Sequence, residues 1–398
     1  MATTSERRRA FAGPALLAQG HRPFFLFGSL WAAAAMTLWI AMLGGAVALP
    51  TVLDPVSWHA HAFLFGYLGA VTAGFLLTAV PNWTGRLPLM GWPLLALVLV
   101  WAAGRVAVSV SALLPFGVAA AVDLAFPLAL AAVMLREIVA GRNWRNLSVW
   151  ALLLLMTLGQ GLFHLDALRG DYAAGGLGLR VALAAAIGMI LLIGGRVVPS
   201  FTRNWLAQRR ETRLPAPLDR FDGIALAVAG LALAVWTAAP AHWLATLLCL
   251  LAGVLHLIRL GRWVGRRTLA EPLVWVLHLA YALVPVGFLA MGLASVLPGL
   301  GSVTAAQHVW MAGAVGMMTL AIMTRASLGH SGRPLTASPA VATLYVLLLV
   351  SVMARFAEGL GAPGWLLHLA GAGWIAAFLG FALLYWRILT GPRAAVPA

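Results

Sequence analysis

The segment His61-Ala-Phe-Leu-Phe-Gly66-Tyr-Leu-Gly69-Ala-Val-Thr72 decides the fold, because its pattern returns later in the chain. The second copy reads His308-Val-Trp-Met-Ala-Gly313-Ala-Val-Gly316-Met-Met-Thr319. The offset is 247 residues (308 minus 61). The Gly-Arg pairs at 85–86 and 332–333 are separated by the same number of residues. Self-similarity at a fixed spacing indicates duplicated structural units. If the two units are alike, His61 and His308 lie at the same depth on related helices. Two histidines related in this way could bind one metal ion between them.

The composition is that of a membrane protein. Of 398 residues, 62% are hydrophobic and 9% are charged, whereas a soluble domain has about 25% charged residues. The single cysteine, Cys249, lies in an apolar run, which excludes disulfides and cysteine-based metal clusters. The net charge of +15 comes from arginine without lysine. We interpret these arginines as topology signals and expect no nucleic-acid binding.

Twelve apolar segments are long enough to cross a bilayer, which takes about 20 residues each. Arginines concentrate in alternate connections, so the positive-inside rule predicts a multi-pass protein of the bacterial inner membrane with both termini cytoplasmic. The sequence predicts an all-α bundle of about twelve transmembrane helices in a single membrane domain. The predicted spans are 24–49, 58–80, 90–113, 116–135, 147–168, 177–201, 221–239, 242–260, 272–297, 304–326, 339–357 and 364–389.

The repeat divides this bundle into three units of four helices. The offset between the two copies spans eight helices, and a weaker third copy falls on the sixth helix. There Gly195-Arg196-Val-Val-Pro199 resembles the ends of the other copies, while Leu179 stands near the histidine position. The predicted pseudo-repeats are 24–140, 142–267 and 268–390.

The histidines are the candidate metal ligands, because ionisable residues inside a membrane are costly and are usually functional. Neutral imidazole binds haem iron, copper and zinc. The predicted orientation places five of them at one outer level: His59, His61, His164, His308 and His368. His278 lies towards the inner face, near Tyr281 on the same helix. We interpret His21, His242 and His256 as interfacial residues without a metal role.

Bis-histidine haem is the favoured interpretation for His61 and His308. No helix carries a carboxylate near either histidine, as a di-iron carboxylate site would require. The glycine pairs that follow the histidines would let a flat macrocycle lie against the backbone, although helix packing accounts better for the glycines taken alone. Arg105 either pairs with Asp123 or, together with Arg180, neutralises the haem propionates.

Copper is predicted among three of the outer histidines. His59, His164 and His368 lie at the same level, and imidazole is a suitable copper ligand. His278 is a competing candidate, for copper or for a second haem. His59 cannot share a metal with His61 on a regular helix, because positions two residues apart do not face each other.

Several segments resemble the NnrS family. They are Arg22-Pro23-Phe24-Phe25, Trp58-His59-Ala60-His61, Pro81-Asn82-Trp83-Thr84-Gly85-Arg86, Gly195-Arg196-Val197-Val198-Pro199 and Leu328-Gly329-His330-Ser331-Gly332-Arg333. The resemblance implies a twelve-helix protein with haem and copper that is tied to nitrogen-oxide metabolism and to resistance against nitric oxide stress. The family often has Glu-Met after the second histidine, whereas this chain has Ala62-Phe63. Any proton-handling role of that glutamate would be lost here.

The layout also resembles the catalytic subunit of haem-copper oxidases and nitric oxide reductases. In those proteins the second and tenth helices supply the low-spin haem ligands, and these are the helices that carry His61 and His308. The likeness is an analogy of layout, and a shared fold does not fix the function.

The predicted function is a nitric oxide reductase or detoxifying oxidoreductase, with catalytic residues unassigned. Nitric oxide would be the substrate or ligand, and a cytochrome-like protein or quinol would donate electrons. No line of carboxylates crosses the inner half of the bundle, so we expect no proton pumping. Protons would enter from the outer side, near Asp123, Asp166 and Asp171 beside His164, although Asp171 is better explained as a residue that solvates its loop. Two alternatives stay open: a secondary transporter, and a haem- or copper-binding protein that relays cofactor or senses nitric oxide without turnover.

Overall fold

The structure, a computed structural model, describes residues 11–115, 117–297 and 302–394. Within these residues, twelve helices are long and apolar enough to cross a membrane, and no strand is present. The predicted all-α fold is therefore confirmed. The helices are α1 His21–Leu43, α2 Pro55–Pro81, α3 Trp92–Ser109, α4 Val118–Ala140, α5 Trp144–Leu168, α6 Leu177–Gln208, α7 Arg220–Ala238, α8 Trp243–Gly261, α9 Pro272–Val296, α10 Val303–His330, α11 Pro339–Gly359 and α12 Trp365–Thr390. The N-terminal Arg7, Arg8 and Arg9 lie outside the described residues.

Local sequence explains where these helices begin and end. Asp54 starts α2, because its Oδ1 accepts hydrogen bonds from the backbone N–H groups of Val56 and Ser57, each at 3.0 Å. Pro55 at the first helical position strengthens this start. Helix α1 ends six residues before its predicted end of 49, because the chain turns at Gly44 and at Gly45 with a φ of 70°.

Three helices are more enclosed than most of the others. In the most apolar stretch of α2, 83% of residues are buried, and the values are 78% for α10 and 67% for α6, the same share as for α9. In α1, α4, α8 and α11 the corresponding share is 39%. The second, sixth and tenth helices therefore carry much of the protein interior, whereas the less enclosed helices keep side chains available for lipid.

The same three helices contain π-helical segments. They lie at Ala62–Tyr67 in α2, Ile190–Gly194 in α6 and Val309–Val315 in α10. Two of them follow His61 and His308 directly. π-Helical segments are rare and often mark functional sites. These π-helical segments fall on the three helices that carry the three copies of the sequence repeat. The division into three four-helix units stays a prediction.

The chain forms two compact units. The first comprises the described residues of Met1–Ala182, Ala326–Pro334 and Phe378–Ala398, and the second those of Leu183–Arg325 and Leu335–Ala377. Helices α1 to α5 belong to the first unit, whereas α7, α8, α9 and α11 belong to the second. Helices α6, α10 and α12 contribute residues to both.

Candidate metal centre

Three buried side chains of the first unit meet in one place. His61 comes from α2, Asp123 from α4 and His164 from α5, with exposed fractions of 1%, 0% and 7%. One ligand atom from each lies within 4.8 Å of the other two. Asp123 Oδ2 is 2.9 Å from His61 Nε2 and 2.7 Å from His164 Nε2. We call these residues the His–Asp–His group.

Two further side chains complete the surroundings of Asp123. The Gln160 amide donates a hydrogen bond to Oδ2 at 2.6 Å, and the Arg105 guanidinium donates to the other oxygen, Oδ1. Arg105 is itself buried, so the pair places opposite charges together away from water. A buried carboxylate without such a partner would be very unfavourable. The pairing of Arg105 with Asp123 was one of the two roles expected for this arginine.

The hydrogen bonds also indicate how the histidines are protonated. An ionised carboxylate only accepts hydrogen bonds, so His61 and His164 each donate from Nε2 to Asp123 in this arrangement. A metal ion would instead need the Nε2 lone pairs, and the protons would have to leave those atoms. Two imidazole nitrogens and one carboxylate oxygen form a donor set suited to copper, iron or zinc. The residues present therefore fit a transition-metal ion.

Close packing of α3 against α4 positions this group. A Cβ atom on Gly104 would lie 2.8 Å from Asp123 Oδ1 and 3.1 Å from its Cα, so only glycine allows this approach. The adjacent Arg105 is thereby placed beside Asp123. On α5, Gln160 and His164 are four residues apart and share one face of the helix.

The π-helical segment of α2 lies against the same residues. Indole N–H groups bind two of its carbonyl oxygens: Trp31 donates to Ala62 and Trp101 donates to Gly66, each at 2.9 Å. A Cβ atom on Gly66 would lie 2.6 Å from both the Arg105 guanidinium and the Trp31 indole nitrogen. The space beside Gly66 is therefore filled by side chains, which supports the packing account of this glycine.

His308 lies in the second unit and is half-buried. Its Nδ1 is 2.7 Å from the carbonyl oxygen of Thr304. Because a carbonyl only accepts, Nδ1 carries the hydrogen and, in the neutral ring, Nε2 carries the lone pair. Metal-binding histidines commonly donate their other N–H to a carbonyl in this way. The shared haem of His61 and His308 stays a prediction.

His278 also has a defined tautomer. The Thr202 hydroxyl lies 2.9 Å from the Val198 carbonyl and 2.7 Å from His278 Nε2. Its single hydrogen goes to the carbonyl, so it accepts from Nε2–H and the lone pair of His278 is on Nδ1. That atom is buried and has no hydrogen-bond partner among the described residues. Gly265 packs against it, since a Cβ atom there would lie 2.6 Å from Nδ1.

The remaining predicted ligands are not members of the His–Asp–His group. His59 stacks on Trp39 with ring centroids 4.5 Å apart. His368 is an exposed residue of the second unit. Arg180 donates a hydrogen bond to the Gly175 carbonyl at 2.8 Å. A copper role for His59 or His368 and a propionate role for Arg180 stay predictions.

Residues 15–393 match the family model described as NnrS protein, which is nearly the whole chain. The chain belongs to the NnrS family. No curated protein matches it. Family membership makes this a nitric-oxide-related membrane protein, and the NnrS family is associated with haem and copper.

The sequence of this NnrS protein indicated Asp123 as a partner of Arg105 and as a carboxylate near His164, but not as a partner of His61. The expectation that no carboxylate lies near His61 is wrong, because it considered residues close in sequence whereas Asp123 arrives from α4. Gln160 was also missed. Its position four residues before His164, on a helix with few polar residues, was the available signal.

A second buried polar cluster lies in the second unit of the NnrS protein, and it corrects the interpretation of His256 as an interfacial residue. His256 is fully buried and contacts the Ala225 carbonyl at 3.1 Å and the Tyr281 hydroxyl at 2.9 Å. Arg259 donates to Tyr281 and, through Nε, to Asp222, each at 2.7 Å. His21, another supposed interfacial residue, is also buried, with its ring centroid 5.3 Å from that of His330.

The second cluster reaches the protein surface through Arg262, whose side chain is partly exposed. This arginine follows the end of α8 and donates to Asp222 at 3.2 Å and to Asp219. The hydrogen bond from Arg262 lowers the pKa of Asp219 below its usual value of 3.8. The same contact raises the pKa of the Arg262 guanidinium. We call Asp219, Asp222, His256, Arg259, Arg262 and Tyr281 the Asp222 network.

Proposed function

We propose that this NnrS protein is a haem- and copper-containing oxidoreductase that binds and reduces nitric oxide, with His61, Asp123 and His164 as the copper ligands. The observation that carries the proposal is the convergence of three ligand atoms on one buried point. Copper bound there would supply a redox-active ion able to coordinate nitric oxide. Placing His61 in the copper site departs from its predicted role as a haem ligand, because its Nε2 faces Asp123.

The charges of the surrounding residues favour a particular oxidation state. Asp123 and Arg105 cancel, and neutral histidines add no charge, so the site has no net charge before metal binds. A monovalent ion then leaves less buried excess charge than a divalent one, and buried excess charge is costly. We therefore infer that the group stabilises the reduced, monovalent form of copper.

The haem is proposed to bind through His308. The hydrogen bond from Nδ1 to the Thr304 carbonyl orients the ring and keeps the lone pair on Nε2, which suits an axial ligand. The competing version is the predicted bis-histidine haem of His61 and His308. In that version, loss of His61 would change the haem spectrum and leave copper in place.

Reduction of nitric oxide needs electrons and protons in fixed amounts. Two molecules of nitric oxide, two electrons and two protons give one nitrous oxide and one water. A cytochrome-like protein or quinol is the proposed electron donor. Asp166 lies on α5 two residues from His164, and Asp171 is exposed in the following loop. Protons taken up along these residues and electrons delivered at the same outer face would not cross the bilayer, so turnover in liposomes would generate no membrane potential.

The test is metal and haem content of purified variants, together with nitric oxide consumption at an electrode. His61→Ala and His164→Ala are expected to lose copper, His308→Ala to lose the haem absorption, and the control His242→Ala to lose neither. The control is apt because His242 is exposed and only caps α8. Copper retained in full by both His61→Ala and His164→Ala would overturn the site. A wild-type protein with haem and copper that consumes no nitric oxide would favour sensing or cofactor relay instead.

A further inference from the structure

A cavity of about 230 Å³ lies beside the His–Asp–His group in the first unit. It is bounded by Leu53 before α2, Val108 near the end of α3, Ala120 in the first turn of α4, and His164 and Ala167 near the end of α5. His164 therefore belongs to both the cavity wall and the candidate metal centre. Any molecule in the cavity can contact a proposed metal ligand directly.

The cavity wall is mostly apolar. Among the described residues, the polar side chains that line it are Ser111 and His164. The Ser111 hydroxyl is already engaged, because it lies 3.0 Å from both the Val52 backbone N–H and the Thr51 hydroxyl. Most of this wall offers a charged or strongly hydrated molecule no hydrogen bond in exchange for the water that it would lose, which is unfavourable. A small uncharged molecule is weakly hydrated, so it would lose little hydration free energy on entering the cavity.

The volume limits the occupant as well. A water molecule occupies about 30 Å³ in the liquid, and sites for drug-sized ligands have volumes of about 300–1,000 Å³. The cavity is smaller than that range, so it is too small to enclose a quinol or a macrocycle. It has room for more than one diatomic molecule.

We propose that this cavity is a binding site for small uncharged gas molecules, with Ala120 and Ala167 as the residues that keep it open. Resting on the proposed function, the physiological occupant is nitric oxide, which collects there before it reaches the metal centre beside His164. Gas binding itself needs no metal. The two parts of the inference therefore have separate tests.

The first test uses xenon as the probe, because it binds to dry apolar cavities. Crystals of the metal-free protein are pressurised with xenon, and its position is read from anomalous scattering. We expect a xenon atom between Val108, Ala120 and Ala167 in the wild type and in Ala121→Phe, and none in Ala120→Phe. Ala121 is a matched control, since it is the next residue on α4 and is exposed. Absence of xenon from the wild-type cavity would overturn the gas site.

The second test measures how fast nitric oxide binds to the metal-loaded protein in a stopped-flow experiment. Ala120→Phe is expected to lower the association rate about tenfold or more, with copper content unchanged, whereas Ala121→Phe keeps the wild-type rate. If Ala120→Phe does not fold, Ala167→Leu fills part of the same space with a smaller side chain. If the variant with the filled cavity binds nitric oxide at the wild-type rate, the proposal that nitric oxide reaches the metal centre through this cavity is wrong. A wild-type protein without metal would instead overturn the proposed function and leave the xenon result standing.

Discussion

The two units each bury a cluster built from aspartate, arginine and histidine, and the clusters differ in how hydrogen bonds are distributed. In the Asp222 network, Arg259 binds one oxygen of Asp222 and Arg262 binds the other. Both nitrogens of His256 are occupied, by the Ala225 carbonyl and the Tyr281 hydroxyl. In the His–Asp–His group, by contrast, three donors converge on the single Oδ2 atom of Asp123.

This difference separates a structural cluster from a candidate metal centre. Within the described residues, the Asp222 network contains no three histidine or carboxylate side chains whose ligand atoms lie within 4.8 Å of one another. A convergent group offers a point at which such atoms meet, and a cation placed there could replace the hydrogens that now lie between the same atoms. The convergent group also borders a cavity through His164. Burial of charge alone is therefore a poor guide to function in this chain.

The largest expected effect comes from replacing the central aspartate of each cluster. Asp123→Asn and Asp222→Asn both leave a buried arginine without its counterion, so each should lower the free energy of unfolding by about 3–5 kcal/mol. Only Asp123→Asn should lose copper, because only Asp123 lies where other ligand atoms converge. Thermal unfolding in detergent and metal analysis by mass spectrometry measure the two effects. Loss of copper in Asp222→Asn as well would remove the distinction.

Replacing the arginine of each cluster tests the same comparison, but here copper binding should become stronger and not weaker. Arg105→Gln removes a positive charge next to the metal ligands, so metal affinity should rise while the metal-free protein becomes less stable. A unit charge about 5 Å away contributes roughly 3 kcal/mol at an effective dielectric constant of about 20. We therefore expect at least a tenfold gain in affinity for copper, measured by competition with a chelator. Arg259→Gln serves as the control, and weaker copper binding in Arg105→Gln would contradict the charge argument.

The sequence predicts the helices well and the metal centre only in part, for physical reasons. Twelve apolar stretches can be counted because crossing a bilayer sets their length. His61 and His164 were identified because histidine in such stretches is costly. Their meeting with Asp123 depends on how α2, α4 and α5 pack, and Arg105 joins them because α3 approaches α4 closely at Gly104. His256 was misread for the same reason, because its partners Ala225 and Tyr281 come from other helices.

A smaller effect is expected from the Tyr281 hydroxyl, which tests whether the Asp222 network is purely structural. Tyr281→Phe removes a group that contacts both His256 and Arg259, and leaves those buried atoms unsatisfied. Unsatisfied buried groups cost about 1–3 kcal/mol each. The midpoint of thermal unfolding should fall, while copper content, haem absorption and nitric oxide consumption stay at wild-type values. A loss of haem or copper without a change in unfolding would show that this network has a role in cofactor binding.

The smallest effect concerns Asp219, where the Asp222 network meets solvent at the start of α7. Its pKa is lowered in the folded protein by the hydrogen bond from Arg262, so it stabilises the fold when ionised. That contribution is present above the usual pKa of 3.8 and is lost as the pH falls through the lowered folded value. Asp219→Asn should therefore unfold at a slightly lower temperature than the wild type at pH 7, and the two curves should converge below about pH 3.8. Asp171→Asn, in an exposed loop of the first unit, is the control. A difference that persists at low pH would mean that Asp219 acts through its hydrogen bonds to the helix start and not through its charge.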